Sequence, residues 1–159
     1  MSSAKVTPKT NYISASDLKK IAQDAMKLLN DHGISDKIVV KYNRFTGYRN
    51  AWVACYRDKS QFSSSPIIWI NENIDDLLVK WDVGLGLEYE VILDSIIHEY
   101  GHVIAEWCKY RDQKTYYLIQ SSFEDPEDFA ESFVDYIGKD KKNRVFKKII
   151  TAYKEGLTE

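Results

Sequence analysis

Residues 88–110 read EYEVILDSIIHEYGHVIAEWCKY, and the rest of the chain is read outward from this stretch. Ile92, Leu93, Ile96, Ile97, Val103, Ile104 and Trp107 recur at helical spacing and make one wide apolar face. Inside this predicted helix lies HEYGH, residues 98–102. Side chains four residues apart share a helix face, one turn above the other, so His98 and His102 can address the same point. Glu99 lies about 100° further round. From there it can flank an ion without filling its coordination shell, which suits a base acting on activated water. Gly101 adds to the pattern: a glycine inside a helix costs about 1 kcal/mol relative to alanine, so something is expected to pack close there.

A catalytic zinc takes three protein ligands and keeps a position open for water. The chain has three histidines, and the third, His32, falls at the end of the first predicted helix, where a capping or surface role is the plainer reading. A metzincin would carry Gly at 105 and His at 108; this chain has Ala105 and Cys108. With Ala105 the helix continues, Cys108 leaves the His98/His102 face, and it reads as a small buried hydrophobe. The remaining source is a carboxylate. EDPEDFAE, residues 124–131, places Glu127 and Glu131 on one face of the next helix. Glu127 is read as the third ligand. Glu131 is read as the acceptor of a ligand histidine's N–H, fixing its tautomer. The competing reading is an acidic face at a helix N-terminus, where carboxylates are favoured in any case. Asp94 and Glu106 lie one turn before His98 and beyond His102; each reads as an exposed charge or a support for its histidine.

Around this centre the chain alternates between two kinds of pattern. Residues 17–33 form an amphipathic helix, with Ser16 a plausible N-cap and Gly33 a plausible stop. Three β-like runs follow at 37–43, 51–57 and 66–74, rich in β-branched and aromatic residues and bounded by turn formers. Residues 75–86 read as a short helix or loop. After HEYGH and a loop come helices over 125–138, with Pro126 in the first turn, and over 141–156. The expected fold is α+β, with an N-terminal helix, a three- or four-stranded sheet, the HEYGH helix and two C-terminal helices. Residues 1–13 are expected to be a flexible N-terminus, and 14–159 a single domain.

HEYGH followed by an acidic E-x-F-A-E helix resembles the gluzincin branch of zinc metallopeptidases. EDFAE is similar to the corresponding segment of lethal-factor-like peptidases, and the layout also resembles the ImmA/IrrE-type peptidase domain, although no helix-turn-helix region is recognisable. The resemblance covers about residues 88–136. It implies a small zincin-like domain with one Zn2+ per chain on His98, His102 and Glu127, Glu131 behind the histidines, and Glu99 as general base. Such enzymes also hold an oxyanion-stabilising Tyr or His; Tyr116, Tyr117 and Tyr136 are candidates here. In zincins the strand before the motif helix borders the cleft and takes substrate as an added strand, which points to Ile68, Trp69 and Ile70 within 66–74. Two alternatives remain. One is a non-catalytic protein-binding module on a zincin scaffold. The other is a peptide-deformylase-like hydrolase using Cys55, whose surroundings WVACYR lack that family's motif.

Bulk composition narrows the function classes. The 159 residues are 44% hydrophobic and 29% charged with net charge −2, which is ordinary for a globular chain and lacks the basic surplus of a nucleic-acid binder. The basic run from Lys139 to Lys148 reads as the solvated face of the last helix. No apolar run approaches a membrane span, and the first residues lack a signal-peptide core. Two cysteines without such a signal are expected to be reduced thiols. The expectation is a cytoplasmic zinc peptidase acting on a peptide or protein substrate, with no nucleic-acid or membrane partner.

Overall fold

The computed structural model describes residues 15–34, 39–43, 53–56, 67–71, 88–138 and 143–157, with side chains described over 17–34, 89–138 and 143–156. The elements in chain order are α1 (Ala15–Asp31), β1 (Val39–Asn43), β2 (Val53–Tyr56), β3 (Ile67–Asn71), α2 (Glu88–Arg111), α3 (Gln113–Ser122), α4 (Pro126–Gly138) and α5 (Arg144–Leu157). The expected N-terminal segment 1–13, the boundary at 14 and the segment 75–86 lie outside the described residues.

The α+β expectation is corrected. The residues with described side chains are 90% helical, none of them is in a strand, and they form five helices. Their core is helix against helix, where a sheet with helices laid on it was expected. Three helices follow the HEYGH turn, not two. At the backbone level three short strands pair in the order β1-β3-β2, with β1 parallel and β2 antiparallel to β3.

α2 is the axis of the packing. Ile92, Ile96, Ile97, Tyr100, Ile104 and Cys108 on it are buried and meet α1, α4 and α5. From α1 come Leu18, Ile21, Ala22, Ala25 and Leu29, from α5 Phe146, Ile149, Ile150 and Tyr153. Aromatic rings fill the layer between α4 and α5: Phe146 stacks on Tyr136 at 5.1 Å and on Phe129 at 5.4 Å between ring centres. Burying such rings contributes about 1.5–3 kcal/mol each before the entropy of ordering the chain is counted. The Tyr100 and Tyr153 hydroxyls meet at 3.0 Å inside the core, so two buried polar atoms satisfy each other across α2 and α5.

Helix ends follow the local chemistry. α1 stops at Gly33, whose φ of +83° suits glycine. The amides of Gly33 and Ile34 then donate back to the carbonyls of Asn30 at 2.8 Å and Leu29 at 3.0 Å, and Ile34 is buried beneath the turn. α3 begins on Asp112, whose carboxylate accepts from the Thr115 amide at 3.1 Å and hydroxyl at 2.7 Å. Asn143 caps α5 through the Phe146 amide at 3.1 Å.

Candidate metal centre

The site is built where α4 crosses α2, and Gly101 sets the distance between them. A Cβ placed on Gly101 would stand 3.2 Å from Phe133 Cδ2 and 3.3 Å from the Ala130 Cα. A side chain here would push α4 back by a few tenths of an ångström, so glycine suits this close approach. The close packing anticipated at this glycine is therefore the contact with α4.

The start of α4 is fixed independently. The Asp125 carboxylate accepts from the Asp128 amide at 2.8 Å, and the Asp128 carboxylate accepts from the Glu124 amide at 2.9 Å. Pro126 occupies the first helical position, where its missing N–H costs nothing. With the first turn held this way, Glu127 and Glu131 project across the two histidines of α2.

Glu127 spans both rings. Its Oε2 lies 3.0 Å from His98 Nε2 and its Oε1 lies 2.9 Å from His102 Nε2. On the far side of His98, Nδ1 lies 3.1 Å from Glu131 Oε1. One donor atom each from His98, His102 and Glu127 fall within 4.8 Å of one another. The histidine side chains are 16% and 27% exposed, whereas Glu127 is 69% exposed, so the cluster opens to solvent on its α4 side.

Imidazole nitrogens and a carboxylate oxygen are donor types that zinc takes, and one such atom from each of the three residues lies within 4.8 Å of the others. The nitrogen–oxygen separations of 3.0 and 2.9 Å, one to each Glu127 oxygen, are also those of direct hydrogen bonds. Where Nδ1 donates to Glu131, either a proton on Nε2 or a cation between Nε2 and the Glu127 carboxylate completes the contact.

Glu99 stands beside the cluster, and its carboxyl is pushed up from 4.5 to about 7, first by burial; His98 opposes the rise and Glu127 adds to it. Burial also holds His102 below the ordinary imidazole range, while the charges of Glu127 and Glu106 pull the other way.

The other sequence candidates separate clearly. Tyr136 is buried on α4 and stacks on Phe146; Tyr117 is 71% exposed on α3; Tyr116 is half-buried and lines a cavity that begins at His102. Ile68, Trp69 and Ile70 lie on β3, the middle strand, with β1 paired on one side and β2 on the other. A strand paired along both edges has no unpaired backbone groups to offer an added chain, so the cleft-edge role assigned to them is corrected. His32 is outside the cluster: its Nδ1 lies 3.0 Å from the Leu28 carbonyl and its ring packs on Tyr136. Cys108 is fully buried, and burial pushes its thiol up to about 12. Cys55 lies on β2, where only the backbone is described.

Sequence reasoning left residues 111–124 as a loop and so missed α3, with the cavity it helps enclose. The signal was present: Asp112 followed three residues later by Thr115, then Tyr116 and Ile119 at helical spacing. No protein-family model, no curated protein and no solved structure matches the chain.

Proposed function

We propose that this chain is a zinc-dependent peptidase of the gluzincin type, with His98, His102 and Glu127 holding one Zn2+ per chain. The observation that supports it best is the bridging of both HEYGH histidines by a carboxylate from a separate helix, with Glu99 half-buried alongside. A zinc ion bound there supplies Lewis acidity to a peptide carbonyl and to water.

The chain's own residues do the rest. Glu131 accepts from His98 Nδ1, which leaves Nε2 as the ligating atom and holds the ring in place. Glu99 accepts the proton of the attacking water and delivers it to the leaving amine. In the metal-free chain burial raises this carboxyl to about 7, and the charge of an ion held beside it would pull it back toward the carboxylate form that accepts the water's proton. The open face on the α4 side leaves room for a peptide to approach.

The test is metal content and turnover together. Wild type offered zinc is expected to retain about one ion per chain and Glu127→Ala clearly less. Glu99→Gln is expected to keep the ion and lose peptide hydrolysis. Retained hydrolysis in Glu99→Gln, or a folded wild type that takes up no zinc, overturns the reading.

A further inference from the structure

We propose that the cavity beside His102 is a binding site for a basic side chain, lysine or arginine, of the substrate. The proposal rests on the peptidase reading for the source of that side chain, and on the cavity's lining for its chemistry. The cavity measures about 410 Å3 and lies between the second half of α2, α3 and the segment that leads into α4. That is within the size range of clefts that take small molecules or single side chains. His102 forms part of its wall, so it is continuous with the histidine–carboxylate cluster. A peptide with its carbonyl against the cluster would place a neighbouring side chain here.

The lining is of two kinds. Ala105, Ile119 and Phe123 supply apolar surface, and the Tyr116 ring joins them. Among the described residues of the lining, Glu106, Glu124 and Asp125 bring carboxylates and Lys109 an ammonium. Asp125 also caps α4, and the Lys109 ammonium lies 5.8 Å over the ring of its neighbour Tyr110.

Lysine and arginine are the side chains that match both kinds of wall. Their stems cover apolar surface while their heads stay among carboxylates and water. A leucine would take water from the carboxylates without replacing it, and a glutamate would add a fourth negative charge.

The experiment is a titration of 15N-labelled protein with N-acetyl-arginine amide, N-acetyl-leucine amide and N-acetyl-glutamate amide, followed by NMR. The arginine probe is expected to shift the amides of Ala105, Gln120 and Phe123, and to bind about tenfold more tightly than the leucine probe, the preference that two partly exposed ion pairs provide. The double variant Glu106→Gln/Glu124→Gln keeps the shape and is expected to lose that preference. Equal binding of arginine and leucine, no shift at these amides, or a preference that survives in the double variant overturns the proposal. Peptides that differ only in Arg, Leu or Glu beside the scissile bond form a separate arm. Faster cleavage of the arginine peptide supports the proposal, and indifferent cleavage overturns it. Arginine binding in the cavity with no cleavage of any peptide supports the site and overturns the peptidase reading alone.

Discussion

Replacing Gly101 by alanine tests whether the contact between α2 and α4 sets the geometry of the proposed metal centre. Two opposing effects meet at this position. Alanine in a helix interior gains about 1 kcal/mol over glycine. Against that, the new methyl would stand 3.3 Å from the Ala130 Cα, a backbone atom that cannot rotate away, and 3.2 Å from the Phe133 ring. Forcing a methyl group into a packed contact costs about 1–3 kcal/mol. The sum runs from no change to a loss of about 2 kcal/mol. The relief available is a shift of α4 by a few tenths of an ångström, and that shift carries Glu127 and Glu131 with it. Metal sites hold their ligand distances to about 0.2 Å, so zinc affinity is expected to fall by about tenfold or more even where the fold survives. Urea unfolding of the metal-free protein reads the first quantity, and competition for zinc against a chelating dye reads the second. Gly138→Ala is the control: nothing lies within 4 Å of its added methyl, so it should leave zinc affinity unchanged. A Gly101→Ala protein that is more stable than wild type by the full helix-propensity gain, with unchanged zinc affinity, refutes the reasoning.

Three further outcomes follow from the same geometry. Asp125→Ala removes the carboxylate that accepts the Asp128 amide; it should cost about 1 kcal/mol in urea unfolding and weaken zinc binding, because Glu127 lies in the turn that this cap holds. In a Cys55→Ala background, Cys108 should fail to react with a disulfide reagent at pH 8 until denaturant is added, since its thiol titrates near 12; rapid reaction of the native protein would contradict its burial. In metal-free protein, burial raises Glu99 from 4.5 to about 7, so the folded state holds a proton that the unfolded chain has released. That contribution is fully present below pH 4.5 and is lost as pH rises through 7; Glu99→Gln should flatten this part of the stability–pH curve, and an unchanged slope would argue against it.

The parts of this site that lie on one helix were legible in the sequence, because helical spacing alone places His98, Glu99 and His102. Glu127 and Glu131 were legible as a pair for the same reason, four residues apart after a capping aspartate and a proline. That the two helices meet was signalled only indirectly, by a glycine inside a helix, where it costs about 1 kcal/mol relative to alanine. The layering was not legible. The runs around Val39, Val53 and Ile67 have strand composition, but composition does not say which strand lies in the middle, and β3 does. α3 escaped notice because its exposed face, with Gln113, Lys114 and Tyr117, dilutes the apolar period to Thr115 and Ile119. Its cap, a short-range contact, was the stronger signal.

The two glutamates nearest the histidines have the same chemistry and are set apart by position alone. Glu127 is at the N-terminus of α4, where the unpaired amides of a first turn favour negative charge and where the side chain stays largely in water. Its two oxygens reach one histidine each. Glu99 is in the middle of α2, where every backbone amide is already engaged, and burial raises its carboxyl to about 7. In the proposed site the first is placed to hold a cation and the second to exchange a proton. HEYGH by itself therefore specifies only half of the arrangement. The other half comes from the Asp125 cap and the Gly101 contact, which together bring the N-terminus of α4 over the two histidines.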